Sequence, residues 1–140
     1  MAEAVREVMT RDPRTVTPTA SLAEVAKIMR DADVGALVVT ESDVVTGIVT
    51  DRDIVVRAIA EGVNPAEATV ADVVEDRELK TVAPDQGVDD VISLMRDEKV
   101  RRVPVVEDGR AVGIVSLGDL ALDREPRSAL AQISKPPANN

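Results

Sequence analysis

A chain of 140 residues with no cysteine, no histidine and no aromatic side chain has no disulfide, no thiol nucleophile, no Cys/His zinc site and no side chain that titrates unperturbed near neutral pH. Acid–base catalysis would fall on a retuned carboxylate or lysine. The formal net charge of −9, from 26 acidic and 17 basic residues, opposes attraction to nucleic-acid backbones and anionic membranes.

Without aromatic side chains, the core must be aliphatic and no base can stack on a ring. A small nucleotide stays possible, because a few arginines and helix N-termini can build a local positive pocket. No apolar run approaches the roughly 18 residues that would span a bilayer. The opening Met1-Ala2-Glu3-Ala4-Val5-Arg6 lacks the basic flank and apolar stretch of a signal peptide. A cytoplasmic location with no membrane and no nucleic-acid partner is therefore expected. A chain near this size buries roughly 70% of its unfolded surface, as one domain or as two small repeats sharing a core.

The chain opens on a short helix, Val5-Arg6-Glu7-Val8-Met9, and a brief strand ending at Pro18. Ser21-Leu22-Ala23-Glu24 has capping-box spacing, and Leu22, Val25, Ile28 and Met29 then recur at helical intervals as a core face. Ala36 to Thr40 turns through Glu41-Ser42-Asp43 into Val45 to Val49, a hairpin nearly continuous in apolar residues and so buried on both faces. Thr50 opens a closing helix from Asp53 to Glu61, stopped by Gly62, and Pro65 to Thr69 reads as a linker.

The same text then recurs. Thr15-Val16-Thr17-Pro18 returns as Thr81-Val82-Ala83-Pro84, and the offset of 66 holds without a gap through Met29/Met95, Gly47-Ile48-Val49/Gly113-Ile114-Val115 and Asp53/Asp119. In the second copy Asp85 is the expected helix cap, with Asp89 and Asp90 in the first turn and Val88, Val91, Ile92 and Met95 as the stripe. Asp108-Gly109 marks the second hairpin turn. The sequence thus divides into a first repeat over 1–62, a linker over 63–69, a second repeat over 70–125 and a C-terminal helix or tail over 126–140.

Thr50-x-x-Asp53 and Ser116-x-x-Asp119 have a structural role available to them, since Ser or Thr before a helix with an acid three positions on is a capping pair. Arg101 and Arg102 are consecutive in a strand and so face opposite sides. Arg52 sits in a first helical turn, where the macrodipole mildly disfavours a cation. The copies trade these cations: Arg52 corresponds to Gly118, and Gly35-Ala36 to Arg101-Arg102. Met29 and Met95 read as core. The acidic cluster Glu75-Asp76 with Glu78 reads as solvated loop charge.

The order helix, strand, helix, strand, strand, helix, written twice with Gly-Ile-Val-Thr-x-x-Asp and Gly-Ile-Val-Ser-x-x-Asp at the hairpin-to-helix junctions, resembles the tandem CBS-domain (Bateman module) family over about Val5 to Leu120. Thr50-Asp51-Arg52-Asp53-Ile54 and Val100-Arg101-Arg102-Val103-Pro104-Val105 are similar to the small stand-alone bacterial proteins of the hypoxic-response type. The resemblance implies an α+β fold of two CBS repeats about a pseudo-twofold axis, commonly assembled as a homodimer. It also implies clefts between the repeats for AMP, ADP, ATP or an S-adenosyl compound. By position, the ligand residues would be Thr15, Val16, Ala36, Thr50, Arg52 and Asp53 in the first set. The second set would be Thr81, Val82, Val103, Pro104, Ser116 and Asp119, with Arg101 and Arg102 alongside.

The expected function is non-catalytic: a regulatory module sensing an adenosine nucleotide, with no cofactor or metal and with an unidentified effector protein acting in trans. The traded arginines imply that the two sites are not equivalent. The alternative is a structural or partner-binding homodimer with vestigial clefts. A nucleotide hydrolase is disfavoured by the missing His and Cys and by the absence of a phosphate loop.

Overall fold

The computed structural model describes residues 2–74 and 78–135. Glu75 and Asp76 of the acidic cluster, and residues 136–140 of the tail, lie outside the described residues. In chain order the elements are a 3-10 turn (Val5–Glu7), β1 (Thr10–Arg11), β2 (Thr15–Val16), α1 (Leu22–Ala32), β3 (Ala36–Glu41), β4 (Val44–Thr50) and α2 (Asp51–Ile54), which passes into a π-helical turn (Val55–Ile59). Then come α3 (Val70–Val73), α4 (Val88–Glu98), β5 (Arg102–Glu107), β6 (Arg110–Ser116), α5 (Leu117–Arg124) and α6 (Ala129–Ser134). The fold class is α+β, as expected. No helix among the described residues is long and apolar enough to cross a membrane.

The elements fall into two compact units, one holding Arg14–Leu79 and the other joining the residues up to Pro13 to those from Lys80 onward. In the first, β2 runs parallel to β3 and β3 antiparallel to β4. Leu22, Val25 and Met29 of α1 pack on Leu37, Val39 and Val49 of this sheet. In the second unit β1, β6 and β5 form the sheet, and Val88, Val91 and Met95 of α4 pack on Val103, Val105 and Val115. Both helical stripes are therefore core faces, and every member of these two clusters is aliphatic.

Repeat in sequence and unit in space differ by one short helix. Val5, at the head of the first repeat, is fully buried among Val82, Val88 and Val91, whereas Val70 and Val73 join Leu22 and Val25. Matching backbone bonds fix each placement: Val5 and Arg6 donate to the Gln86 and Pro84 carbonyls at 2.9 Å, and Val70 and Ala71 donate to those of Ala20 and Pro18 at 3.0 Å. Residues 64–68 are tied down as well, with the Pro65 and Ala68 carbonyls accepting from Ala23 and Leu22 at 3.0 Å. These bonds supply partners for the orphan donors at the start of α1.

β3 and β5 are buried through their centres, but β4 and β6 are buried on one face only rather than on both, because alternate residues such as Val44 and Thr46 face outward. The helices and turns follow the sequence with three exceptions. Ser21 caps α1 through its hydroxyl, which accepts from Glu24 N at 3.2 Å. The hairpin turns carry positive φ at both central residues, Ser42 and Asp43 in one and Asp108 and Gly109 in the other, the twist-matching geometry of two-residue hairpins. Gly62 takes φ 74° just beyond the π turn. The first exception is the cap of α4, which is Gly87 rather than Asp85. The second is the closing helix of the first repeat, which starts at Asp51 and switches at Val55 to π geometry, the Ala60 N–H reaching back to the Val55 carbonyl at 2.9 Å. Third, the opening helix is a 3-10 turn of only three residues. The Glu7 carboxylate satisfies its orphan donors, accepting from Ala4 N at 2.8 Å and Glu3 N at 3.0 Å.

The two glycines of the repeated Gly-Ile-Val differ in what they exclude. A Cβ on Gly113 would lie 2.9 Å from both the Thr10 carbonyl oxygen and Met9 Cγ, because the chain entering the neighbouring strand β1 packs against it; a Cβ on Gly47 would meet nothing closer than Val74 at 3.4 Å. Gly113→Ala should therefore push β1 off β6 and cost about 1–3 kcal/mol in denaturant unfolding, with Gly47→Ala much milder. Equal costs for the two would show that β1 yields without penalty.

Candidate functional site: two strand-to-helix junctions

In the Arg14–Leu79 unit, β3 and β4 set Ala36 directly across from Thr50. The Gly35 carbonyl accepts from Asp51 N at 3.0 Å, so the strand pair leads straight into α2. Thr15 and Val16 lie on the other side of β3, paired with Val38 and Val39. Thr50 is extended, and its hydroxyl accepts from Asp53 N at 3.1 Å while Asp53 Oδ2 accepts from Thr50 N at 2.9 Å. Two orphan donors are thereby satisfied reciprocally. The other carboxylate oxygen, Asp53 Oδ1, lies 3.8 Å from Arg57 Nε one turn on. Arg52 is exposed on the first turn.

The other unit repeats the arrangement with different cations. Ser116 Oγ accepts from Asp119 N at 3.1 Å, and Asp119 Oδ2 accepts from Ser116 N at 2.9 Å. Arg102 stands directly across from Ser116 in the β5–β6 register, and the Arg101 carbonyl accepts from Leu117 N at 2.8 Å. Arg101 is exposed and Arg102 half-buried. Thr81 is exposed beside Val82, which bridges Val105 in parallel. Val16, Val82, Val103 and Pro104 are buried. The three valines belong to the hydrophobic clusters, so what they can offer a ligand is their backbone.

Each set of residues singled out in the sequence thus lies within one unit: Ala36, Thr50, Arg52 and Asp53, or Arg101, Arg102, Ser116 and Asp119, meet at the junction, whereas Thr15, Val16 and Val82 pair further along the neighbouring strand. Sequence reasoning did not single out Arg57, although its i,i+4 spacing from Asp53 is the spacing of helical ion pairs. The segment expected to be a C-terminal helix or tail over 126–140 forms α6, which packs on α5 in the second unit and has no counterpart in the first repeat.

Burial raises the Asp119 carboxyl above the ordinary value of 3.8, with the Ser116 backbone and hydroxyl hydrogen bonds pulling the other way. The folded state therefore holds this proton to higher pH than the unfolded state does. The contribution of Asp119 to stability is largest below the unfolded value and is lost as pH rises through the raised folded value. Asp119→Asn keeps an oxygen to accept from Ser116 N and removes the titration. The stability of the parent minus that of this variant should accordingly fall in urea titrations as pH rises from below the ordinary carboxyl value to above it. A difference that rises over that range would contradict the assignment.

Residues 5–59 and 69–122 each match the family model of the CBS domain. The chain belongs to the CBS-domain family. It is 37% identical over 134 residues to the CBS domain-containing protein YhcV of Bacillus subtilis, covering 93% of this chain and 94% of that one. Hypoxic response protein 1 of Mycobacterium tuberculosis is 34% identical over 131 residues, covering 93% and 90%. Among solved structures, that of Hypoxic Response Protein I with two coordinated zinc ions superposes with a TM-score of 0.75 at 33% identity, over 88% of this chain and 99% of the other. These matches agree with the tandem CBS pair expected from the two junction motifs and with the hypoxic-response type expected from Thr50 to Ile54 and Val100 to Val105. CBS-pair proteins are generally regulatory modules and typically non-catalytic. The zinc of that neighbour finds no obvious counterpart here: the chain has neither Cys nor His, and no group of three carboxylates among the described residues is placed to hold a metal ion.

Proposed function

We propose that this CBS pair is a non-catalytic regulatory module that senses an adenosine nucleotide, AMP, ADP, ATP or an S-adenosyl compound, at its strand-to-helix junctions. The observation that carries the reading is the capping pair at each junction. One carboxylate oxygen of Asp53 and of Asp119 is spent on the strand-end N–H, and a second oxygen on each carboxylate can accept from a vicinal diol of ribose. The hydroxyl of Thr50 or Ser116 sits at a helix start, and an arginine stands close by: Arg52 on α2 itself, Arg102 across from Ser116. A phosphate suits that combination of helix N–H groups and guanidinium. With no ring in the chain, the base would be held by aliphatic contacts and backbone hydrogen bonds.

Sensing works by differential affinity: whichever conformation binds the nucleotide better gains population, without turnover. Thermal unfolding of the full chain with AMP, ATP and S-adenosylmethionine tests the reading. A ligand at 100 times its dissociation constant should stabilise the fold by about 2.7 kcal/mol. No shift with any adenosyl compound would favour a second reading, a structural or partner-binding homodimer. Val55, Val56 and Ile59 support that alternative, being 57%, 43% and 52% exposed along the π turn, an unusual apolar display for one short segment.

A further inference from the structure

The two junctions differ in one feature that their shared motif does not explain. At the first, the helix carries Arg52, which is exposed. At the second, the equivalent position is Gly118, and a Cβ there would run into Ser134 of α6, clashing with its hydroxyl and lying 2.9 Å from its Cβ. The same Cβ position is 3.6 Å from Ser116 Oγ. Ser134 therefore occupies, beside the junction hydroxyl, the space into which Arg52 projects a side chain in the other copy. Positions 121 to 123 of α5 are half-buried, whereas their counterparts 55 to 57 are exposed. Desolvation of the Asp119 carboxyl is consistent with cover over this junction.

We propose that α6 is a built-in lid seated on Gly118 that closes the second junction, so that nucleotide reaches Ser116 and Asp119 only when α6 swings away. The gating half of this proposal rests on the nucleotide reading above; the seat does not. The lid is lightly built, as a reversible element must be. It has six residues, one fully buried apolar side chain, Ala131, and a cap in which Ser128 Oγ accepts from Ala131 N at 3.1 Å. Ile133 faces outward at 74% exposure. The segment 125–128 that joins it to α5 is a turn in which Ser128 N donates to the Glu125 carbonyl at 2.9 Å. The resting protein therefore has one open junction, carrying Arg52 and Asp53, and one closed.

The sign of Gly118→Ala separates the lid from an ordinary helical glycine. Alanine in a helix is intrinsically stabilising relative to glycine, so with nothing seated on position 118 this variant would leave α6 unaffected. With the lid seated there, hydrogen–deuterium exchange of the full chain should show amides 131–134, the hydrogen-bonded ones of α6, exchanging about tenfold faster or more in Gly118→Ala. Gly118→Ala/Ser134→Gly, which clears the space again, should restore slow exchange. In parallel titrations with AMP and ATP, the parent should bind one equivalent, Gly118→Ala two, and the double variant one.

Unchanged exchange in Gly118→Ala would overturn the lid, whatever the nucleotide does. Faster exchange with no second equivalent, while the first is retained, would overturn the gating and leave the nucleotide reading standing. Binding of no nucleotide by any form would sink that reading and the gating together, and the exchange data would still decide the seat.

Discussion

Asp53→Ala is expected to weaken adenosine-nucleotide binding by roughly 10- to 100-fold, the effect of losing a hydrogen bond of about 1.5–3 kcal/mol to a charged acceptor. The same substitution removes the carboxylate that accepts from Thr50 N at 2.9 Å, so stability should fall by about 0.5–2 kcal/mol as well. The two losses can be pulled apart. Asp53→Asn retains an oxygen for the Thr50 N–H but gives up the charge, so it should melt close to the parent and still bind poorly. Calorimetric titration alongside thermal unfolding checks both arms. An Asp53→Asn protein that binds as the parent does would reduce Asp53 to a cap and remove it from the ligand site.

Leu37→Ala should cost the Arg14–Leu79 unit about 2–5 kcal/mol. Leu37 is 1% exposed in β3 and packs in the cluster that holds Leu22, Val25, Met29 and Val49. Its neighbours there are mostly stiff β-branched side chains whose rotamers leave little freedom to collapse into a void. The lost area and the residual cavity therefore add. Urea unfolding measures the cost. A loss below about 1 kcal/mol would mean that the sheet repacks around the gap.

The architecture was largely legible because it is written twice. A hairpin read from Ala36 to Val49 alone is ambiguous between buried strand and buried helix, but the same pattern at the same offset with Asp108-Gly109 at its turn settles the second copy and lends support to the first. The junction caps were legible for a local reason: Thr50 and Asp53, or Ser116 and Asp119, are three residues apart, and capping geometry is decided within one turn. What sequence missed lies at longer range. That Val5 would join the core of the second sheet follows from the backbone bonds of Val5 to Gln86 and of Arg6 to Pro84, about eighty positions away. Asp85 looked like the cap of α4, yet the chain enters two residues later at Gly87, where the backbone pairs with Ala4. The π turn at Val55–Ile59 has no counterpart in α5, and nothing in the structure explains why the first copy alone adopts it.

For the candidate site, the sequence offered Thr50/Asp53 and Ser116/Asp119 as capping pairs, and both caps are formed. The exchange of Arg52 for Gly118 was visible as an asymmetry. Its physical content, the space that Gly118 leaves for Ser134, needed coordinates, because a missing Cβ carries no signal of what fills the gap. Arg102 gained meaning in the same way, since only the strand register puts it across from Ser116.

Isothermal titration of the full chain with AMP or ATP tests the central claim most directly. The account predicts saturable binding at one equivalent per chain, weakened roughly 10- to 100-fold on Asp53→Ala and weakened also on Arg52→Ala. No binding of any adenosyl nucleotide, or two equal equivalents in the parent protein, would contradict it.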